Sequence, residues 1–114
     1  MKYMLLMYAD ESKAIPPEEL ETVQQDWYSL LKESKAAGVL ISNNGLSSVA
    51  NATSVRVRDG KTLTTDGPFA ETHEQLGGFI LVECKDLDEA IAWAAKIPTA
   101  KYGSIELRPL WDQI

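Results

Sequence analysis

Two segments of this chain carry large apolar side chains on both faces of a predicted strand. They are residues 2–9, KYMLLMYA, and residues 78–85, GFILVECK. Successive side chains of a strand point to opposite faces, so Tyr3 and Leu5 fall on one face while Met4 and Leu6 fall on the other. A sheet built around such strands needs an apolar cover on both sides.

Two helical patterns supply a cover for one side only. The first spans residues 18–37, follows Pro17 and ends before Gly38, with apolar residues at three- and four-residue spacing. The second follows Asp86, which forms a capping box with Glu89, and we expect Pro98 to end it. Its alanine-rich stripe is able to lie close to a sheet.

The remaining segments predict further strands and one hairpin. Short strands are expected over residues 39–42 and 104–110. Residues 53–58 and 61–65 alternate apolar and polar residues on either side of Asp59-Gly60, a strong type I′ hairpin signal. We expect this hairpin to lie at the edge of the sheet.

The order of elements predicts an α+β fold. It is the ferredoxin-like (split βαβ) plan with a β-hairpin inserted after the second strand. Two helices leave the second sheet face bare, and an exposed face that apolar is unusual for a monomer. We therefore expect a homodimer in which two sheets pack face to face.

The composition of the chain limits the functional classes to which it can belong. The length of 114 residues fits one domain, residues 1–114. Seventeen acidic against eleven basic residues leave a net charge of −6, which argues against nucleic-acid binding.

The longest apolar run is too short to span a bilayer and lacks the pattern of a signal peptide, so we expect a cytoplasmic protein and no membrane contact. A single cysteine, Cys84, excludes an intrachain disulfide, and its strand pattern predicts burial.

Residues 66–79, DGPFAETHEQLGGF, concentrate the candidate catalytic residues. Asp66 is read either as a turn residue whose carboxylate accepts backbone hydrogen bonds or as an acid or base at a cavity. Glu71 and His73 follow closely, and an imidazole near carboxylates is a common arrangement for proton transfer. The alternative is that both are solvated surface residues. The glycines of Gly77-Gly78 indicate a backbone bend or a close approach of two chain segments.

Four aromatic residues are candidates for lining a small-molecule cavity. They are Tyr8, Trp27, Phe69 and Phe79. Such residues commonly line ligand sites, and they equally fill cores and dimer interfaces. No dinucleotide, phosphate-loop, zinc-protease or serine-hydrolase motif is present, so we expect neither a cofactor nor a metal.

These segments together resemble the YCII-related family, in the branch called DGPF-domain proteins. The resemblance rests on MKYMLLMYADE, AAGVLIS, TSVRVRDGKTLTTDGPFAETHEQLGGF, DLDEAIAWAAKIP and SIELRPL, in that order. It implies a dimeric α/β barrel, a fold shared with muconolactone isomerase. Family members are thought to use a His and Asp pair, but the first helix here has no histidine, so only Asp66 matches. Members are often encoded beside extracytoplasmic-function sigma factors.

The first functional hypothesis is therefore a cytoplasmic homodimer that binds a small organic molecule between sheet and loop. It would catalyse an isomerase- or lyase-like proton transfer, with Asp66 as acid or base, Glu71 or His73 assisting and Tyr8 lending a hydroxyl. The alternative is a non-catalytic accessory module, for example one associated with a sigma factor. A third interpretation is that the Asp-Gly-Pro turn only supports the dimer.

Overall fold

Six strands and two α-helices make up the fold of the described part of the chain. In the computed structural model, which describes residues 1–113, they are β1 (Lys2–Ala9), α1 (Leu20–Ala36), β2 (Leu40–Gly45), β3 (Thr53–Arg58), β4 (Lys61–Asp66), β5 (Gln75–Glu83), α2 (Leu87–Ala94) and β6 (Ser104–Pro109). Four strands form an antiparallel sheet in the order β2-β5-β1-β6. This is the α+β, ferredoxin-like arrangement predicted from the sequence. No helix in the described part of the chain is long and apolar enough to cross a membrane.

One face of the sheet packs against both helices and contains the core. Tyr3 and Leu5 of β1 pair with Val82 and Ile80 of β5, and all four are buried. The helices contribute further buried residues, namely Leu30 and Ser34 from α1 and Ala90 and Ala94 from α2. Cys84 is buried in the same cluster, as predicted. The small alanine side chains bring α2 close to the sheet.

The opposite face of the sheet has no comparable cover. Met4 pairs with Leu81 and Leu6 with Phe79, and these four side chains are only half-buried. The described chain is a slab of 48 × 41 × 18 Å, a thickness that one sheet and one layer of helices fill. The prediction that both faces of the two central strands are apolar is confirmed. The sheet is open, and the dimeric barrel stays a prediction.

The helix ends follow local rules, with one exception. The Asp86 carboxylate accepts a hydrogen bond from the Glu89 N–H at 2.8 Å, which confirms the predicted N-cap. Gly38 follows α1 with a φ of 71°. The expectation that Pro98 ends the second helix is wrong, because α2 stops at Ala94 and Pro98 instead begins a 3-10 turn. The N–H of Ile97 bonds to the Ala94 carbonyl, so the chain tightens before it reaches the proline.

The hairpin of β3 and β4, residues 53–66, is an arm separate from the sheet. Asp59 and Gly60 have φ values of 52° and 74°, which confirms the type I′ turn. The expectation that the hairpin edges the sheet is wrong, since its strands pair only with each other. The loop after β2 contains a 3-10 turn, Val49–Asn51, that carries the chain past the end of β2. The radius of gyration is 16.2 Å, whereas a compact chain of this length has about 13 Å.

Gly78 is predicted to tolerate no side chain, unlike its neighbour Gly77. A Cβ at Gly78 would lie 2.8 Å from the Asn44 carbonyl oxygen and 2.8 Å from the Met7 Cε. The Met7 tip can move, but the carbonyl belongs to the backbone of β2. We expect Gly78→Ala to lower the free energy of unfolding by about 1–3 kcal/mol, measured by urea denaturation.

Gly77→Ala is the matched control, because a Cβ there comes no closer than 3.9 Å to another atom. We expect its free energy of unfolding to stay within about 0.5 kcal/mol of the wild type. Equal stability of the two alanine variants would contradict a close approach of β2 and β5 at Gly78.

The buried thiol predicts a dependence of stability on alkaline pH. Burial raises the pKa of Cys84 to about 11, with a smaller contribution from the nearby Glu89, against 9.0 for an ordinary thiol. The unfolded chain therefore ionises first, and the stability contribution present below pH 9 is lost as the pH rises towards 11. Over that range, urea denaturation should show wild-type stability falling about 1–3 kcal/mol more than that of Cys84→Ala. Parallel pH profiles would contradict this assignment.

Candidate functional site

A cleft of about 490 Å³ opens where the arm joins the sheet. Three chain segments form it: the loop after β2, the Asp-Gly-Pro turn that ends the arm, and the loop that leads into β5. The residues lining it are Ser48, Val49, Ala50, Asp66, Gly67, Pro68, Ala70, Glu71, Thr72 and Gln75. Half of the residues of the segment 66–79 therefore lie around one concave surface.

The Asp-Gly-Pro turn is held by its glycine. Gly67 has a φ of 95°, which side-chain-bearing residues rarely adopt. Its N–H donates to the Ala52 carbonyl at 2.7 Å, and its own carbonyl accepts from the Ser54 hydroxyl at 2.8 Å. Across residues 1–113, the exposed Asp66 carboxylate makes no hydrogen bond or ion pair. The turn thus keeps its shape through other groups and leaves this carboxylate open to solvent.

Glu11 connects the loops around the cleft. Its carboxylate accepts hydrogen bonds from the Ser48 hydroxyl at 2.7 Å and the Val49 N–H at 3.1 Å. Its backbone N–H donates to the Gln75 side-chain oxygen at 2.9 Å, and the Gln75 side-chain nitrogen donates to the Thr72 carbonyl at 2.6 Å. Three hydrogen bonds therefore link the loop after β1 to the loop after β2 and to the start of β5, and a fourth joins Gln75 to the loop that leads into β5.

Sequence reasoning missed this role of Glu11. The residue follows Asp10 at the end of β1 and lies 37 positions before Ser48 in the chain. No local spacing connects two residues so far apart. Only the pairing of β1 with β5, which brings Ala9 opposite Gln75, places Glu11 beside these loops.

Two of the three predicted catalytic residues share the cleft. Asp66 and Glu71 both line it, and both are exposed. His73 is exposed but is not part of the lining. The pKa of the Asp10 carboxyl is lowered mainly by hydrogen bonds from Ser12, with weaker electrostatic contributions from Lys13 and His73. The structure therefore brings Asp66 and Glu71 together and leaves His73 outside the cleft.

The four predicted ligand-binding residues are not brought together. Tyr8 and Trp27 line a separate depression of about 130 Å³ beside Gly77 and Thr99. Phe69 is 79% exposed in the loop after the arm. Phe79 lies half-buried on the open face of the sheet, paired with Leu6. Their roles in ligand binding stay predictions, and they belong to three different surfaces.

The lining of the cleft is acidic and hydrogen-bonding. Asp66 and Glu71 supply two carboxylates, and Ser48, Thr72 and Gln75 supply neutral polar groups. The described lining includes no lysine, arginine or histidine, so an anionic ligand would find no counter-charge there. Within residues 1–113, no group of three His, Cys, Asp or Glu side chains is placed to hold a metal ion. The arrangement suits hydrogen bonding to hydroxyl or amine groups, and proton transfer by a carboxylate.

Comparison with known proteins identifies the family. The sequence model of the YCII-related domain matches residues 1–114. The chain belongs to the YCII-related family. An uncharacterized protein of Rhizobium meliloti (strain 1021) is similar to this YCII-related chain, with 41% identity over 114 residues, covering 96% of this chain and 92% of the relative. The resemblance seen in the sequence is thereby confirmed at the level of the family.

The role of Glu11 can be measured by amide exchange. In Glu11→Ala the Val49 N–H loses its acceptor and the Ser48 hydroxyl its partner. We expect hydrogen exchange at Val49 to accelerate about tenfold, while the free energy of unfolding changes by about 1 kcal/mol or less, because these hydrogen bonds are exposed. Glu18→Ala, an exposed glutamate in the 3-10 turn before α1, is the control. Unchanged exchange at Val49 in Glu11→Ala would contradict the proposed link.

Proposed function

We propose that this YCII-related protein is a homodimer that binds a small neutral or cationic organic molecule in the cleft at the base of the arm. Asp66 acts there as the acid or base of an isomerase- or lyase-like proton transfer. The observation that carries the proposal is the joint position of Asp66 and Glu71 in one cleft whose other polar groups are uncharged. A volume of about 490 Å³ is within the range of small-molecule sites.

The lining supports a division of roles between the two carboxylates. Asp66 makes no hydrogen bond or ion pair in the described part of the chain, so its oxygens are available to a ligand proton. Glu71 lines the same cleft and, in its protonated form, would deliver a proton to another atom of the substrate while Asp66 takes one up; exchange with solvent then restores both carboxyl groups. An isomerisation of this kind moves one proton and leaves the substrate composition unchanged. Tyr8 lines a separate depression and His73 is not part of the cleft lining, so the proposed chemistry assigns the assisting role to Glu71.

The proposed homodimer is supported by the uncovered sheet face. Met4, Leu6, Phe79 and Leu81 form an apolar patch on the side away from the helices. An equivalent face from a second copy would bury all four, and two four-stranded sheets packed in this way make the dimeric α/β barrel. Isologous pairing suits the patch because each copy offers the surface that the other needs.

Asp66→Asn tests the proposed site. The substitution keeps the size of the side chain but removes its charge and its ability to accept a proton. A set of small amines and alcohols is screened by thermal shift against carboxylates of the same skeleton, and we expect ligands from the first group. We expect Asp66→Asn to weaken binding of such a ligand at least tenfold, as measured by calorimetry, since a charge-assisted hydrogen bond is lost.

Asp59→Asn is the matched control for this experiment. It makes the same chemical change at the far end of the same hairpin, in a turn position that asparagine tolerates. We expect it to bind as the wild type does. Unchanged binding in Asp66→Asn would overturn the proposed role of this residue. If the cleft binds none of the ligands and another protein copurifies at equal stoichiometry, the accessory module is favoured instead.

A further inference from the structure

The arm exposes both of its faces, although a two-stranded hairpin is only marginally stable in water. Every residue of β3 and β4 except Ser54 is exposed. Its base is held by the hydrogen bonds of Gly67 and Ser54 and by a contact from the Arg56 guanidinium to the Phe69 carbonyl at 3.3 Å. Beyond this base the described chain offers the arm no packing partner. The two strands of the arm nevertheless pair regularly over six residues each, which suggests that another surface stabilises the arm.

The two faces of the arm differ in chemistry. Directly paired residues share a face, and the register pairs Val55 with Thr64, Val57 with Thr62, and Thr53 with Asp66. These six residues form one face, here called the valine face. Val55 and Val57 are 61% and 60% exposed, and both are β-branched residues that favour packed sheet surfaces. The valine face is thus apolar at its centre and ends at the Asp66 carboxylate.

The other face of the arm is suited to water. It carries one large apolar residue, Leu63, which is 49% exposed. Arg56 lies directly opposite Leu63, and Arg58 and Lys61 follow on the same face. Long basic side chains of this kind can cover an apolar neighbour while their charges remain solvated. The valine face is therefore the one that lacks a cover.

The area of the proposed dimer favours a contribution from the arm. Four strands of six to nine residues have a projected face on the order of 400 Å². The valine face of each arm adds on the order of 200 Å² of projected area, about half as much again. Since a stable interface buries about 800 Å² of accessible surface per partner, a contribution of that size matters to the stability of the dimer.

Charge on the arm is compatible with a second copy of this chain as the occupant. Residues 53–66 carry three basic and two acidic residues, a net charge of +1, whereas the whole chain carries −6 and the rest therefore −7. The three basic side chains lie on the face opposite the valines, and Asp66 is the one charged residue of the valine face. The largely uncharged valine face can therefore pack on another copy with little repulsion, whereas contact between the two remainders alone would bring like charges together.

We propose that the valine face of each arm packs on the partner protomer and closes the Asp66 cleft of its own chain. The inference rests on the proposed homodimer and adds to it. Asp66 lies on the same face as Val55 and Val57, so a surface that covers the valines reaches the mouth of the cleft. The site is then complete only in the dimer, which shields the proton transfer from solvent.

Three aspartate variants compared by sedimentation velocity test this inference. Val57→Asp places a charge on the valine face, Leu63→Asp makes a similar change on the other face, and Leu6→Asp disrupts the open sheet face. We expect the wild type to dimerise and both Val57→Asp and Leu6→Asp to raise the dimer dissociation constant at least tenfold. Leu63→Asp should raise it less than threefold.

A conservative variant and an exchange measurement distinguish the loss of a dimer contact from misfolding. Val57→Thr keeps the β-branched shape and is expected to weaken the dimer by a smaller factor than Val57→Asp. Hydrogen exchange of the arm amides should slow as protein concentration rises in the wild type and in Leu63→Asp, but not in Val57→Asp.

The outcomes separate this inference from the proposed homodimer. If the wild type dimerises and Leu6→Asp weakens it, but Val57→Asp behaves like Leu63→Asp, the homodimer holds and the arm contact is overturned. A wild type that stays monomeric at every concentration, or a dimer insensitive to Leu6→Asp, overturns the face-to-face homodimer. A strictly monomeric wild type overturns the arm contact as well.

Discussion

The pairing of β1 with β5 is the constraint on which the rest of the structure depends. Both strands are central in the sheet, and each carries large apolar side chains on its two faces. On one side Tyr3, Leu5, Ile80 and Val82 build the core with both helices. On the other side the same strands leave the apolar patch that motivates the proposed dimer. One register therefore determines both the core and the open surface.

The same pairing positions the cleft. It brings Ala9 opposite Gln75, so the loop after β1 and the loop before β5 meet at one end of the sheet. Glu11 then binds the loop that contains Ser48, and Gln75 binds the carbonyl of Thr72. The loops are irregular and mostly exposed, yet their ends are fixed by strands. A cleft built in this way is held by a few exposed hydrogen bonds, each of modest strength.

Local signals in the sequence identified most elements of the fold. Asp86, Gly38 and Asp59-Gly60 each specify a cap or turn through backbone chemistry within four residues, and all are found as predicted. The two wrong expectations differ in range. The end of α2 is also local, because the chain tightens after Ala94 and before Pro98. The place of the hairpin of residues 53–66 is a long-range relation, and it stands apart from the sheet. Its Asp-Gly turn specifies how its own strands pair and nothing about where the pair lies.

The candidate site was predictable in part. The sequence by itself determined the alternation that makes a two-faced central sheet, the positions of the helices, and the Asp-Gly-Pro turn, because these depend on neighbours a few residues apart. Only the tertiary structure decided that Asp66 and Glu71 share a cleft, that His73 is not part of its lining, and that the aromatic candidates are spread over three surfaces. Those relations depend on how strands distant in the chain are paired, and short-range periodicity carries no information about that pairing.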